Sequence, residues 1–163
     1  MSAGPRDPGA GRPASQSLVE TVNLVFPEDA NPKGTIFGGR VLQWVDMAGA
    51  MAAQRHCRQM VVTAVMDAVM FRAPIFVGEY AVIRAWVNRA WHTSMEVEVR
   101  VEAEAPLTGE RRLSVEAYVT FVAVDAADHP TPVPPLIPQT PQEALRFQAA
   151  EKRRNARMAL RQS

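Results

Sequence analysis

Asp46 is a single carboxylate in the run from Gly38 to Ala53, which is otherwise almost entirely apolar or small. An ionisable group in such surroundings is costly to bury alone, so it is paired, kept out of the interior or used for chemistry. Kept for chemistry, this carboxylate is a site candidate. On a helix, Asp46 shares a face with Gly39, Leu42, Gln43, Gly49, Ala50 and Ala53, while Trp44, Met47, Ala48 and Met51 point largely elsewhere. Glycine inside a helix costs about 1 kcal/mol relative to alanine, so Gly39 and Gly49 require a local reason. Close approach of a ligand would supply one. So would tight packing on a strand or second helix, with Asp46 satisfied by a backbone donor.

Other chemistries lack their parts. The chain has no Gly-x-Ser-x-Gly elbow, no Walker loop and no Gly-x-Gly-x-x-Gly, which removes serine hydrolase, nucleotide hydrolase and dinucleotide readings. His56, His92 and His129 are widely separated and no acidic cluster accompanies them, so no metal site is expected. His56 and Cys57 are helical neighbours about 100° apart, poor geometry for an activated thiolate, and Cys57 reads as a core residue. Trp44, Trp86 and Trp91 lack the basic neighbours of a base-stacking surface.

The elements that must position Asp46 follow from patterning. A length of 163 residues with 47% hydrophobic content fits one globular domain. A net charge of +1 gives no global signature of nucleic-acid or membrane binding. The single cysteine suits a reducing compartment, and no apolar run approaches the roughly 18 residues of a membrane span; neither is there the apolar stretch of a secretory signal. A soluble, cytoplasmic protein is expected.

Residues 1–16, rich in Gly, Pro, Ala and Ser, are expected to be a flexible tail. Residues 17–127 carry the domain. Ser17 to Val25 reads as a first strand, and the helix around Asp46 runs to about His56. Val61 to Phe71 is apolar on both faces except at Thr63 and Asp67, which predicts a central strand. Tyr80 to Asn88 follows. Met95 to Glu104 then alternates apolar residues with Glu and Arg, predicting a strand with one wet face, and Leu113 to Ala123 repeats the alternation as its hairpin partner. The predicted class is α+β: a helix hydrophobic nearly all round must be wrapped by a five-stranded antiparallel sheet, the hotdog arrangement, with at least a dimer covering what remains open. Residues 128–140 form a Pro-rich extended connector that stays outside the sheet. Residues 141–163 form a C-terminal helix, capped by Thr140 with Pro141 and Glu143 in its first turn. Its Lys152, Arg153, Arg154, Arg157 and Arg161 are expected mainly as a solvated face, with phosphate gripping or a subunit contact as the other reading.

Asn31-Pro32-Lys33-Gly34-Thr35-Ile36-Phe37-Gly38-Gly39, Asp46, Val62-Thr63, Phe71-x-x-Pro74-x-x-x-Gly78-Glu79, Ser94 and the run Phe121 to Asp125 together resemble the hotdog-fold acyl-CoA thioesterases, from about Ser17 to Asp125. The resemblance implies hydrolysis of acyl-CoA to free acid and coenzyme A within fatty acid metabolism, with no metal or redox cofactor, in a dimer or a hexamer built as a trimer of dimers. It implies Asp46 as the catalytic carboxylate and Asn31 opposite it, typically from the partner subunit. Gly38 and Gly39, at a helix start whose free N–H groups can hold an oxyanion, would bind the thioester carbonyl. Phe37 would line the acyl tunnel, and Thr63 and Ser94 would fix water or the pantetheine arm; local hydrogen bonding is the plainer reading of both hydroxyls. Relatives often carry more basic residues around the coenzyme A phosphates, and here Lys33, Arg72, Arg89 and the terminal helix are the candidates. A non-catalytic acyl-CoA binding or sensing module is the alternative. A hydratase would commonly need a histidine at the helical position.

Overall fold

Gly38–Cys57 form helix α1, whose inner face of Val41, Val45, Ala48, Gly49, Ala52, Ala53, His56 and Cys57 is buried. It ends at Arg58, which takes a left-handed conformation with φ 56° and donates its N–H to the Gln54 carbonyl at 2.6 Å. The computed structural model describes residues 9–163. Around α1 the chain lays down β1 (Arg12–Pro13), β2 (Val19–Leu24), β3 (Met60–Phe71), β4 (Tyr80–Ala90), β5 (Ser94–Glu104), β6 (Arg111–Val124) and β7 (Leu136–Ile137), and it closes with helix α2 (Pro141–Arg161). Five of these strands make one antiparallel sheet in the order β2-β4-β5-β6-β3. The expected wrapped-helix architecture is present.

The core is the inner face of that sheet against α1. Val97, Val99, Val101, Ala117, Val119 and Phe121 are at most 1% exposed. Their alternation along β5 and β6 delivers one apolar side chain per pleat to the helix. A side chain at Gly49 would place its Cβ 2.9 Å from Phe121 Cε2, so the glycine is what lets α1 settle onto the sheet. Nothing lies within 4 Å of the equivalent position at Gly39. Ala48, which the helical spacing turns away from the face of Asp46, is buried in the core.

Four expectations are corrected. The strand predicted as central, β3, lies at the sheet edge; its two-sided apolarity leaves Met60, Val62 and Phe71 exposed by 66%, 46% and 56%. An apolar edge of this kind needs cover from outside the chain. The strand also breaks register with β6 twice, between Thr63 and Val65 and between Met66 and Val69.

The supposedly wet face of β5 is dry. Glu96 and Glu98 are 0% and 4% exposed because α2 lies over them. Arg153 reaches Glu96 with two N–H groups at 3.0 and 2.6 Å, Arg146 approaches Glu98 at 3.8 Å, and Asn88 donates to both carboxylates. Arg157 pairs with Asp67 on β3, and Arg153 stacks on Tyr118 at 3.8 Å. Two of the cations expected mainly in solvent, Arg153 and Arg157, are thus spent on internal ion pairs.

The flexible-tail expectation fails for the described part of its range; residues 1–8 lie outside the described residues. β1 pairs in parallel with β7, and Ala14 and Ser17 are buried. Gly11 permits this, since a Cβ there would meet Ile137 Cδ1 at 2.3 Å. The Pro-rich connector adds no strand to the five-stranded sheet, yet it does not stay clear of it: Pro130 bridges Val124 and the Thr131 N–H donates to the Ala123 carbonyl at 2.9 Å, and the connector buries Val133 and Leu136. Arg12 donates to the His56 carbonyl, and His56 Nε2 lies 2.7 Å from the Pro134 carbonyl. Burial holds the His56 imidazole below its ordinary pKa, so the neutral ring donates that bond. Burial raises the Cys57 thiol, in keeping with a core cysteine.

Gly49→Ala should lower unfolding free energy by about 1–3 kcal/mol, because Phe121 has no room to yield. Arg153→Met should cost about 3 kcal/mol by stranding the buried Glu96. Urea denaturation monitored by tryptophan fluorescence checks both.

Candidate active site

The sheet brings Thr63 to Asp46. Thr63 stands opposite Phe121 in the β3–β6 ladder, on the face that packs against α1, and its hydroxyl donates to Asp46 Oδ1 at 2.6 Å. Among the described residues no other hydrogen bond reaches this carboxylate. Asp46 is only partly buried. It is a held but open carboxylate, with one oxygen anchored and the other available.

About two turns back along α1 are Gly38 and Gly39, both exposed. Phe37 precedes them in extended conformation, and its side chain offers no cap. The first N–H groups of a helix have no carbonyl four residues back, so these amides are free donors at the positive end of the helix dipole. Arg40 is drawn away from this end by an ion pair with Asp29 at 2.9 Å. Phe37 itself is 50% exposed beside the amides.

Asn31 sits in a tight turn closed by Gly34, whose φ is +78°. Its Oδ1 accepts from the backbone N–H of Lys33 at 2.9 Å and of Thr35 at 3.3 Å, while Nδ2 donates to Thr35 Oγ1 at 2.9 Å. The amide is therefore locked in one orientation by its own loop. No hydrogen bond joins it to Asp46 within the chain. Ser94 is not brought to the site either: it pairs with Val122, on the pleat opposite to Phe121 and Met95, which places it on the face away from α1.

An apolar cavity of about 240 Å³ opens beside Gly38, between the start of α1 and the end of β3, with Phe71, Ile75 and Val41 among its walls. Its floor is supplied by the loop between β3 and β4, which one carboxylate holds shut. Glu79 accepts the Phe76 N–H at 2.9 Å and two bonds from Arg112 at 2.8 and 2.5 Å, and Arg112 also donates to the Pro74 carbonyl at 2.7 Å. Phe71 and Glu79 belong to the sequence motif, but neither had a role that sequence alone assigned. Pro74 between them, at a turn that interrupts the strands, was the available signal. Of the candidates for phosphate contacts, Arg72 is engaged by Glu116 at 2.5 Å and Arg89 by Glu151 at 3.0 Å, whereas the exposed Lys33 has no ion pair among the described residues.

A sheet curled on one buried helix, with a lone carboxylate midway along that helix and bare amides at its start, defines a hotdog-fold site of thioesterase type. The thioesterase superfamily pattern matches residues 33–110. The uncharacterized acyl-CoA thioester hydrolase YkhA of Bacillus subtilis is 39% identical over 87% of this chain and 83% of its own. Mouse acyl-coenzyme A thioesterase 11 is 36% identical over 90% of this chain, which spans only 25% of the mouse protein. Among solved structures, an apo-hexameric acyl-CoA thioesterase superposes with a TM-score of 0.89 at 40% identity, covering 92% of this chain and 96% of its own. The acyl-CoA hydrolase of Staphylococcus aureus, solved with butyryl coenzyme A, coenzyme A and coenzyme A disulfide, gives 0.86 at 33% identity and covers 92% of each chain. That enzyme has also been solved with alanine in place of an asparagine, an aspartate and a threonine, whose spacings match those of Asn31, Asp46 and Thr63. The chain belongs to the hotdog-fold acyl-CoA thioester hydrolase family.

Arg112 holds the Glu79 carboxyl below its ordinary pKa, chiefly through their hydrogen bonds. A carboxylate whose folded value is depressed adds stability above its unfolded value, and this is lost as pH falls through the folded one. Glu79→Gln should therefore cost about 1 kcal/mol at neutral pH and flatten the loss of stability below about pH 4. Thermal melts from pH 3 to 7 read this difference directly.

Proposed function

We propose that the protein hydrolyses acyl-CoA thioesters to a carboxylic acid and coenzyme A, in a site shared by two copies of the chain. The observation that carries the reading is Asp46, an open carboxylate fixed by Thr63 at 2.6 Å on a helix whose own N-terminus offers unpaired amides. At about 1.5 Å of rise per residue, Asp46 lies about 10 Å along the axis from Gly39. That exceeds the span of a hydrogen bond or of one bridging water. A carbonyl held at the amides of one copy must therefore be attacked from a carboxylate of another. The exposed apolar edge of β3 is the surface that would join them, giving a dimer or, since one relative is hexameric, a hexamer that we read as a trimer of dimers.

In this scheme the amides of Gly38 and Gly39 hold the thioester oxygen and stabilise the negative charge that develops there. Asp46 takes a proton from water as the water oxygen bonds to the carbonyl carbon. The C–S bond then breaks, and the proton passes to the leaving sulfur. Water is the only co-reactant, so the balance needs neither metal nor redox cofactor. Asn31, held rigid by its turn, orients the water or the thioester from the opposite copy. Lys33, on that turn, is placed to meet an anionic part of coenzyme A. Direct attack by Asp46 is the competing route, and a labelled-water experiment separates the two. None of the described helices is long and apolar enough to cross a membrane, and a cytoplasmic location agrees with a coenzyme A substrate.

Asp46→Ala and Asn31→Ala should each lower the turnover of acyl-CoA by about 10²–10⁴-fold, read with a thiol-reactive dye. Mixing the two inactive proteins under subunit exchange should restore up to about a quarter of wild-type turnover, because a mixed dimer keeps one intact site. No recovery despite proven exchange would refute the shared site. Tight acyl-CoA binding by wild type without thiol release would instead mark a binding or sensing module.

A further inference from the structure

The turn that presents Asn31 is not a strand of the sheet and has to be held by something else. Its own hydrogen bonds close it on itself, from the Asn31 N–H to the Thr35 carbonyl at 2.8 Å and from the Gly34 N–H to the Asn31 carbonyl at 2.9 Å. At its base, Asp29 pairs with Arg40 of α1 at 2.9 Å. Its outer arm is held by the loop that joins β3 to β4. Thr35 bridges Phe76, the Ile36 N–H donates to the Ile75 carbonyl at 2.8 Å, and the Val77 N–H donates to the Gly34 carbonyl at 3.1 Å.

That loop has a fixed point on the sheet, Arg112 of β6. The Arg112 guanidinium grips the Glu79 carboxylate at 2.8 and 2.5 Å and the Pro74 carbonyl at 2.7 Å, so it clamps both ends of the loop at once. Glu79 closes the span between them by accepting the Phe76 N–H at 2.9 Å. A continuous line of bonds thus runs from β6 through Arg112, Glu79 and Phe76 to Thr35, whose hydroxyl and N–H hold the Asn31 amide. The Glu79 side chain is 14% exposed, so removing the guanidinium strands a largely buried charge and releases the loop.

We propose that Arg112 and Glu79 are positioning residues for the hydrolysis, acting at a distance by fixing where the Asn31 turn stands. The inference rests on the hydrolase reading given above, in which Asn31 works in the site of the opposite copy. The Asn31 amide is locked within its turn, so any shift of the turn moves the amide as a unit. A displacement of about 1 Å in a group that orients reactants costs up to about 10²-fold in rate.

The test is a double-mutant cycle on kcat for coenzyme A release at saturating acyl-CoA. Arg112→Met should lower kcat by about 10–100-fold in the otherwise wild-type protein. In the Asn31→Ala background the same change should lower the remaining kcat by less than about threefold, because an absent amide cannot be misplaced. Circular dichroism verifies folding. Glu79→Gln keeps an acceptor for the Phe76 N–H and should show the same pattern at about 3–10-fold; it decides if Arg112→Met misfolds. Equal fold-losses in the two backgrounds, or wild-type kcat in the folded single variants, would overturn the positioning role while leaving hydrolysis intact. Full turnover by Asn31→Ala would instead remove the shared-site reading on which the inference stands, and absence of coenzyme A release by wild type would remove the hydrolase reading itself.

Discussion

Helix α1 can reach the sheet only because position 49 has no side chain. Gly49 lies against Phe121, and Phe121 is the ladder partner of Thr63. Asp46, one turn before Gly49, therefore arrives at Thr63 with a 2.6 Å hydrogen bond rather than a gap. A bulkier residue would lift the helix from the sheet and part the carboxylate from Thr63, its one hydrogen-bonding partner among the described residues. One close contact in the core thus fixes a geometry at the surface, and the rigidity of a packed interior is what transmits it.

The other face of the sheet is organised by charge. The Glu residues of β5 alternate outward, and α2 meets them with arginines spaced along one helical face. Buried ion pairs add little net stability compared with apolar packing of the same volume, because both ions lose water. What these pairs supply is register: Arg153 on Glu96 and Arg157 on Asp67 fit only one placement of α2 across the strands. Trp91 adds a polar tie, donating from its indole to Glu151 at 2.9 Å.

Much of this was legible from residue types and order. The period-two runs gave β5 and β6, the Thr140-Pro141-Gln142-Glu143 start gave α2, and the isolation of Asp46 singled out the residue on which the functional reading rests. The errors share one physical cause: a periodic pattern records which face is apolar but not what covers it. Glu96 reads as wet because its cover, Arg153, lies 57 residues away in the chain. β3 reads as central because an edge strand with exposed apolar residues has the same two-sided apolarity as one with neighbours on each side. Gly11 in a Gly/Pro-rich stretch reads as slack, yet it packs against Ile137. The cavity by Gly38 was invisible because its walls converge from α1, β3, β6 and the loop after β3.

The irregular course of β3 has a consequence for how molecules of this protein meet. A smooth apolar edge would template any extended segment that drifted against it, including unfolded chains of its own kind. Two breaks in ladder register bend this edge and interrupt its hydrogen-bonding groups. A featureless strand laid along it would forfeit bonds at both interruptions. The flaw in the ladder thus serves as a lock against indiscriminate stacking.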